Sequence, residues 1–311
     1  MALSLALMKN LISMMLMVII GYVIVKIKFL KSRDAQPLSM LTAYVLTPCL
    51  ILEAFQRDIT AEQMKGFFVA MIAATLCVLL FIVLAALLKK PFKLDAVDQA
   101  TLIYMNCGNL LLPLISMTLG DDMVFYCVAF QVPFNLLCWS HGQAIIRGKG
   151  SLRPAQMFLN PNVLALGAAL LLMALGIRFP SVLATTVTSL GNMVGPASMI
   201  VIGMSIAESD LGAVLRSRRT WLINFGRLIA FPFIAMLILY ATGFLRVHPE
   251  FKDALMVTMM CAAAPPAATV TQIAVACGNE PFRASFYNVL GTLLCVATLP
   301  VMIYLFQVMF A

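Results

Sequence analysis

Residues 262–269 read Ala262-Ala263-Ala264-Pro265-Pro266-Ala267-Ala268-Thr269, in the middle of an apolar stretch that runs from Ala254 to Cys277. Each proline removes a backbone N–H, and its ring clashes with the preceding turn, so the pair interrupts any helix laid through it. A second stretch, Ala96–Leu119, carries Asn106-Cys107-Gly108-Asn109 at a matching place, with Pro113 just beyond. Glycine and asparagine loosen a helix more gently. Breaks in the middle of long apolar stretches free backbone N–H and C=O groups. In lipid those groups must find partners, so both breaks are expected to face a protein-lined, water-accessible cavity.

The surroundings explain why lipid is the solvent. Of 311 residues, 62% are hydrophobic and only 11% charged, with mean hydropathy +1.00. So few charges cannot cover a water-exposed surface of this size. The apolar segments are apolar all round rather than alternating, which excludes a transmembrane barrel. They fall at Leu7–Ile27, Pro37–Phe55, Gly66–Leu88, Ala96–Leu119, Met123–Ile146, Pro161–Ile177, Val182–Ala207, Trp221–Phe244, Ala254–Cys277 and Ala284–Phe310. Each is near or above the roughly 20 residues that cross a bilayer core as a helix. The fold class expected is therefore all-α integral membrane with ten transmembrane helices. The first segment reads as a span rather than a cleavable signal, since no small-residue cleavage site closes a short apolar region.

Lysine and arginine set the orientation. Alternate loops, beginning with the one after the first segment, hold 14 of the 21 basic residues, among them Lys26, Lys89, Lys149, Arg153 and Arg219. The opposite loops and termini hold six, and Arg227 lies inside a segment. The positive-inside rule puts the richer set in the cytoplasm of a cell whose inner membrane holds the chain, with both termini outside. The net charge of +8 is spread over these short runs, with no tract that suggests nucleic-acid binding. The eight cysteines all lie within apolar segments without a CxxC pair, so they read as packing residues, with no metal or cofactor expected.

The two halves resemble each other weakly. Ile27-Lys28-Phe29 matches Ile177-Arg178-Phe179, and Pro48 matches Pro196. Asp98 matches Asp253, Leu119-Gly120-Asp121 matches Cys277-Gly278-Asn279, and Leu136-Leu137-Cys138 matches Leu293-Leu294-Cys295. The common order of these matches carries the weight. Five spans per half is odd, so the second half (156–311) enters the membrane upside down relative to the first (1–155). Inverted repeats with a pair of broken helices, here the fourth and ninth, are a hallmark of secondary transporters. If those helices cross, the N-terminal ends of their second halves meet, and their partial positive charge suits a carboxylate. The alternative is that Pro265-Pro266 forms a mere kink, with Asn106 and Asn109 joining helices.

Asn106 with Pro113 seven residues on, the Pro-Pro break in the ninth segment and the ten-span layout resemble the auxin efflux carrier family. The chain is similar to its bacterial branch, which includes carriers for malonate and malate. The resemblance covers essentially the whole chain. It implies an architecture like that of bile-acid symporters and sodium–proton antiporters. It further implies a scaffold of helices 1, 2, 6 and 7, a mobile unit of helices 3–5 and 8–10, elevator-like movement and a homodimer joined through the scaffold. Asn106 matches the family's carboxylate-contacting asparagine. Pro265-Pro266-Ala267 stands where plant members carry a Pro-Gln-Gly type sequence, which argues against plant-auxin specificity.

Other polar residues within segments have two readings each. Arg227 is costly in a membrane and offers fixed positive charge for a dicarboxylate; alternatively its stem reaches toward the headgroups. Gln131 and Asn135 share a helix face, either lining the cavity beside Asn106 or joining helices. Thr269 and Gln272 follow the Pro-Pro break and offer side-chain polar groups. His141 reads as structural near the cytoplasmic surface, and Glu53 as interfacial, paired with Arg57. The candidate substrate-binding residues are thus Asn106, Asn109, Gln131, Asn135, Pro265, Pro266, Thr269, Gln272 and Arg227. The helix breaks are placed at Gly108, Pro113, Pro265 and Pro266. No HExxH, GxSxG or Walker motif supports an enzyme or an ATP-driven pump, and no buried aspartate pair supports a proton antiporter. The function expected is a non-enzymatic carrier of small organic anions. A sodium- or proton-coupled symporter on the same plan is one alternative, and a channel or receptor is another.

Overall fold

The computed structural model describes residues 2–148, 161–207 and 210–310, and among them every regular element is helical. The principal ones in chain order, short connecting helices aside, are α1 Ala2–Lys26, α2 Ser32–Ala54 and α3 Ala61–Lys89, followed by the broken pair α4a Ala96–Ile103 and α4b Cys107–Leu119. Next come α5 Asp121–Arg147, α6 Pro161–Ala174, α7 Ser181–Ala207 and α8 Arg218–Thr242. A second broken pair, α9a Lys252–Ala262 and α9b Ala268–Cys277, precedes α10 Pro281–Met309. Six of these, α2, α3, α5, α7, α8 and α10, are long and apolar enough to cross a membrane unaided. Lys149 and Arg153 of the loop-charge pattern, and the boundary between the two halves, lie outside the described residues.

The outer surface is greasy. Along α3, Phe68, Ile72, Leu76, Leu79, Val83 and Leu87 recur every three or four residues and are exposed, while Phe67, Ala70, Ala74, Cys77, Phe81 and Ala85 are buried. An apolar helix with both an apolar inner face and an apolar outer face is what lipid demands. Together with the six long apolar helices, this makes the chain a multi-pass membrane protein.

Prolines inside these helices are accommodated rather than excluded. Pro48, Pro113 and Pro232 each stand two residues after a π turn, respectively Thr42–Leu46, Cys107–Leu111 and Gly226–Ala230. A π turn shifts the hydrogen-bond register by one residue, which bypasses the N–H that proline lacks and the carbonyl its ring would strike. Pro113, expected as a helix break, therefore sits inside the continuous run of α4b.

Two packing neighbourhoods stand out, with α1 also touching α10 and α4b. In one, α1 lies along α7, α2 packs on α6 and α7, and backbones touch: a Cβ on Gly21 would collide with Ile200, and one on Gly203 with Val18. Small residues at such a crossing let helices approach where lipid offers no hydrophobic drive. In the other, α3 packs on α5 and α9a, and α8 on α10. Glu53 does not pair with Arg57. It packs against Gly191 of α7 and hydrogen-bonds Thr188, while Arg57 pairs with Asp122 at the start of α5. The short sequence distance between Glu53 and Arg57 carries no weight because α2 ends at Ala54, so the two no longer share a helix face.

One polar knot ties three helix ends together. Asp98 of α4a, fully buried, accepts from Arg219 of α8 through Nε at 3.1 Å and from the Tyr287 hydroxyl of α10 at 2.5 Å, and its other backbone-directed bond caps Asp95. Arg219 Nη2 also donates to the Lys93 carbonyl at 2.8 Å. Truncating Asp98 strands the tyrosine and leaves a partly exposed guanidinium unpaired. Asp98→Ala is expected to destabilise the fold by about 1–3 kcal/mol, less than the roughly 3–5 kcal/mol of a fully buried broken pair because Arg219 still reaches water. A thermal melt of the purified protein in detergent checks it, and an unchanged midpoint would remove the knot from the account.

Candidate functional site

Both long apolar stretches that carry the break signals are interrupted, and the interruptions meet. The first falls at Tyr104–Asn106, just before Gly108, which lies in the opening π turn of α4b. The second falls at 263–267. Met105 and Pro266 face each other as an isolated antiparallel bridge. Asn106 N donates to the Pro265 carbonyl at 2.8 Å, and Ala267 N donates to the Tyr104 carbonyl at 3.0 Å. Each break thus satisfies the backbone groups the other frees, as a water-poor interior requires.

Helix α10 braces the crossing. Asn288 Nδ2 donates to the Pro266 carbonyl at 2.9 Å. Three residues on, Gly291 has no room for a side chain, since a Cβ there would collide with Pro266 and Asn224. On the other flank, Tyr104 is fully buried, with its hydroxyl donating to the Leu137 carbonyl at 2.9 Å and lying 2.8 Å from His141 Nδ1. His141 is therefore half-buried against the crossing, where it supports Tyr104.

Beside the bridge lies a cavity of about 130 Å³, room for a small organic molecule or several waters. Asn106, Gly108 and Asn109 line it from α4, Gln131 and Asn135 from α5, and Ala267, Thr269 and Gln272 from α9. A smaller cavity of about 50 Å³ shares Asn106 and Asn109 and adds the hydroxyls of Thr42 and Ser198 and the amide of Asn288. The Nδ2 of Asn106 and the Nε2 of Gln131 are buried and have no hydrogen-bond partner among the described residues. Unmet buried donors are costly, and at a cavity wall they are placed to meet a ligand or water. Gly108 lets Gln131 come close: a Cβ there would stand 3.3 Å from the Gln131 Oε1. Neither α4b nor α9b has a side-chain N-cap, so both present their first turns to this region uncapped. Asn135 spends its amide on the Gln131 carbonyl at 2.9 Å.

Several candidates sit elsewhere. Pro265 and Pro266 are buried in the bridge with their carbonyls taken by Asn106 and Asn288, so they shape the cavity without lining it. Arg227 does not line it either. It approaches the crossing from α8, on the side of α3 and α10, and is bound to the end of α9a. The headgroup alternative fails too, because its side chain is fully buried. Sequence reasoning missed the wall supplied by α2, where Ser39, Tyr44 and Thr47 line the cavity and Ser39 Oγ lies 3.5 Å from Gln272 Nε2. Its signal was the run of hydroxyl residues Ser39, Thr42 and Thr47 in an otherwise apolar segment. Trp139 of α5 and Asn288 of α10 were missed as well.

The brace predicts a result. Gly291→Ala is expected to push α10 off the bridge and cost about 1–3 kcal/mol through overpacking, read as a lower melting midpoint. An equal or higher midpoint would show that α10 does not fix the crossing.

No curated protein matches the chain. A family model described as a membrane transport protein matches residues 6–156 and again residues 152–303, which together span nearly the whole sequence. With the crossed breaks and their cavity in place, the match settles the kinship: the chain belongs to this family of membrane transporters, the auxin efflux carrier family.

Proposed function

We propose that the chain is a secondary carrier of small organic anions, which holds a substrate carboxylate at the crossing of α4 and α9. The observation that carries this reading is the pair of unmet buried amide donors, on Asn106 and Gln131, beside two uncapped helix starts. A helix N-terminus acts as about half a positive charge, so two of them together nearly balance one carboxylate. Asn106 contributes a neutral donor and fixes the carboxylate's direction. Gln131, Thr269 and Gln272 ring the bound acid, and the aromatic faces of Tyr44 and Trp139 bound its carbon skeleton. No acidic side chain lines either cavity among the described residues, which favours an anionic over a cationic cargo.

The packing supports an inverted five-helix repeat with ten spans. Exchanging each helix for the one five places later maps the α1–α7 contact onto α6–α2, and the α3–α5 contact onto α8–α10. The crossing of α4 with α9 maps onto itself. On this plan α1, α2, α6 and α7 form the scaffold of a homodimer. The remaining helices carry the substrate past it in an elevator-like step, with both termini outside the inner membrane. The seam between the two units is polar and thin at the cavity, where Gln272 meets Ser39. With the cytoplasm negative, the membrane potential favours outward movement of an anion by about 2.3 kcal/mol per charge per 100 mV. No bond is made or broken in this cycle.

A scan of small carboxylates, with malonate and acetate in the set and alkylamines as controls, tests the cargo by thermal stabilisation of the purified protein. Carboxylates are expected to raise the midpoint and amines to leave it unchanged. Asn106→Ala is expected to weaken carboxylate binding about 10- to 100-fold, the worth of one hydrogen bond to a charged group, while its melting midpoint without ligand stays near that of the parent. Undiminished affinity in that variant would take Asn106 out of the site. Counterflow of labelled substrate in proteoliposomes separates a carrier from a channel or a receptor.

A further inference from the structure

Arg227 heads the largest fully buried side chains among the described residues, and it stands apart from the cavity. The π turn Gly226–Ala230 carries it out of the regular register of α8 and into the core. Its Nη2 donates at 2.7 Å to the carbonyl of Ala262, the last residue of α9a. Its guanidinium carbon lies 5.3 Å from the centre of the Phe81 ring, and the thiols of Cys77, Cys107 and Cys295 are its other neighbours. No carboxylate pairs with it among the described residues, and its Nε and Nη1 are buried without a hydrogen-bond partner there.

A buried cation with so little compensation is expensive. What faces it is the C-terminal end of a half-helix, which acts as about half a negative charge with orphan carbonyls. In carriers with broken helices, such ends and the unwound carbonyls beside them are where a coupling sodium ion or proton is held. We propose that the Arg227 guanidinium is a resident cation that fills this seat, so that the crossing is charge-balanced for an anionic substrate without a sodium ion from solution. The inference deepens the carboxylate-carrier reading and rests on it for its meaning in transport. Arg227 is then a positioning residue acting through α9. It neutralises the negative end of α9a, which would otherwise lie one short break away from the substrate's own negative charge at α9b. A covalently attached cation cannot dissociate, so the net charge moved per cycle is that of the substrate alone.

The test needs no carboxylate, which separates its failure from failure of the cargo assignment. The melting midpoint of the purified full-length protein is measured in choline chloride, sodium chloride and low guanidinium chloride at equal ionic strength. The parent protein is expected to melt alike in sodium and choline. Arg227→Ala is expected to melt lower in choline and to regain about 2 °C or more in sodium, as binding linkage to the vacated seat requires. Sodium stabilisation of the parent would overturn the proposal. So would rescue of the variant by guanidinium and not by sodium, which would reveal a plug that fills shape. Should Arg227→Ala not fold, Arg227→Lys keeps a cation in place and is expected to fold and to ignore sodium; failure of the lysine variant as well, or a sodium response in it, also refutes the resident-cation role.

Discussion

Two main-chain hydrogen bonds hold this protein's centre: Asn106 N to Pro265 O and Ala267 N to Tyr104 O. Everything else in the candidate site depends on them. A helix interrupted in a membrane core releases donors and acceptors that cost several kcal/mol each if unmet. One interrupted helix would need water or side chains to meet that cost. Two that cross can satisfy one another, and do so here with the smallest possible sheet, a single bridge. The breaks are therefore stable only as a pair. That pairing forces the starts of α4b and α9b into the same small volume, and the cavity beside them follows from the geometry of the crossing.

The neighbours of the bridge are chosen for closeness. Gly291 lets α10 lie on Pro266, and Asn288 meets the Pro266 carbonyl, which the bridge leaves open. Gly108 lets Gln131 stand against the first turn of α4b. The alanines flanking the two prolines serve the same end, being fully buried where any larger side chain would hold the strands apart. Two of the polar side-chain atoms that remain unmet among the described residues, Asn106 Nδ2 and Gln131 Nε2, belong to residues that line the cavity.

How much of this was legible in the sequence depends on how local the signal was. Pro265-Pro266 leaves a helix no alternative, so the second break could be read directly. Gly278, which closes α9b with a positive φ of 64°, could also be read, because only glycine adopts that conformation freely. The first break was legible only to within a few residues. Tyr104 and Met105 carry no breaking tendency, and the chain is bent there by its partner rather than by its own residues. Pro113 misled for the opposite reason, since a π turn absorbs a proline without ending the helix. The hydroxyl run of α2 was easy to pass over, because serine and threonine in an apolar helix often return their hydroxyls to backbone carbonyls, as Thr42 does to Leu38, and so look like filler.

Arg227 shows the limit of reading charge without geometry. An arginine in an apolar segment signals function or a headgroup contact, and the sequence offers nothing to choose between substrate and structure. The fold adds a direction. A broken helix has two new ends of opposite sign: the start of its second half is positive, and the end of its first half is negative. In α9 the positive end looks into the cavity, and the negative end is met by Arg227 from behind. Fixed charge placed on the cavity side would have bound a second carboxylate group. Placed behind, it leaves the cavity walls without fixed charge, so that on the proposed reading the helix starts and the Asn106 and Gln131 amides provide the attraction. On the proposed reading such a cavity binds an anion without trapping it, because the helix ends contribute about one charge spread over two places. Binding strong enough to load and weak enough to release is what a carrier requires of its site.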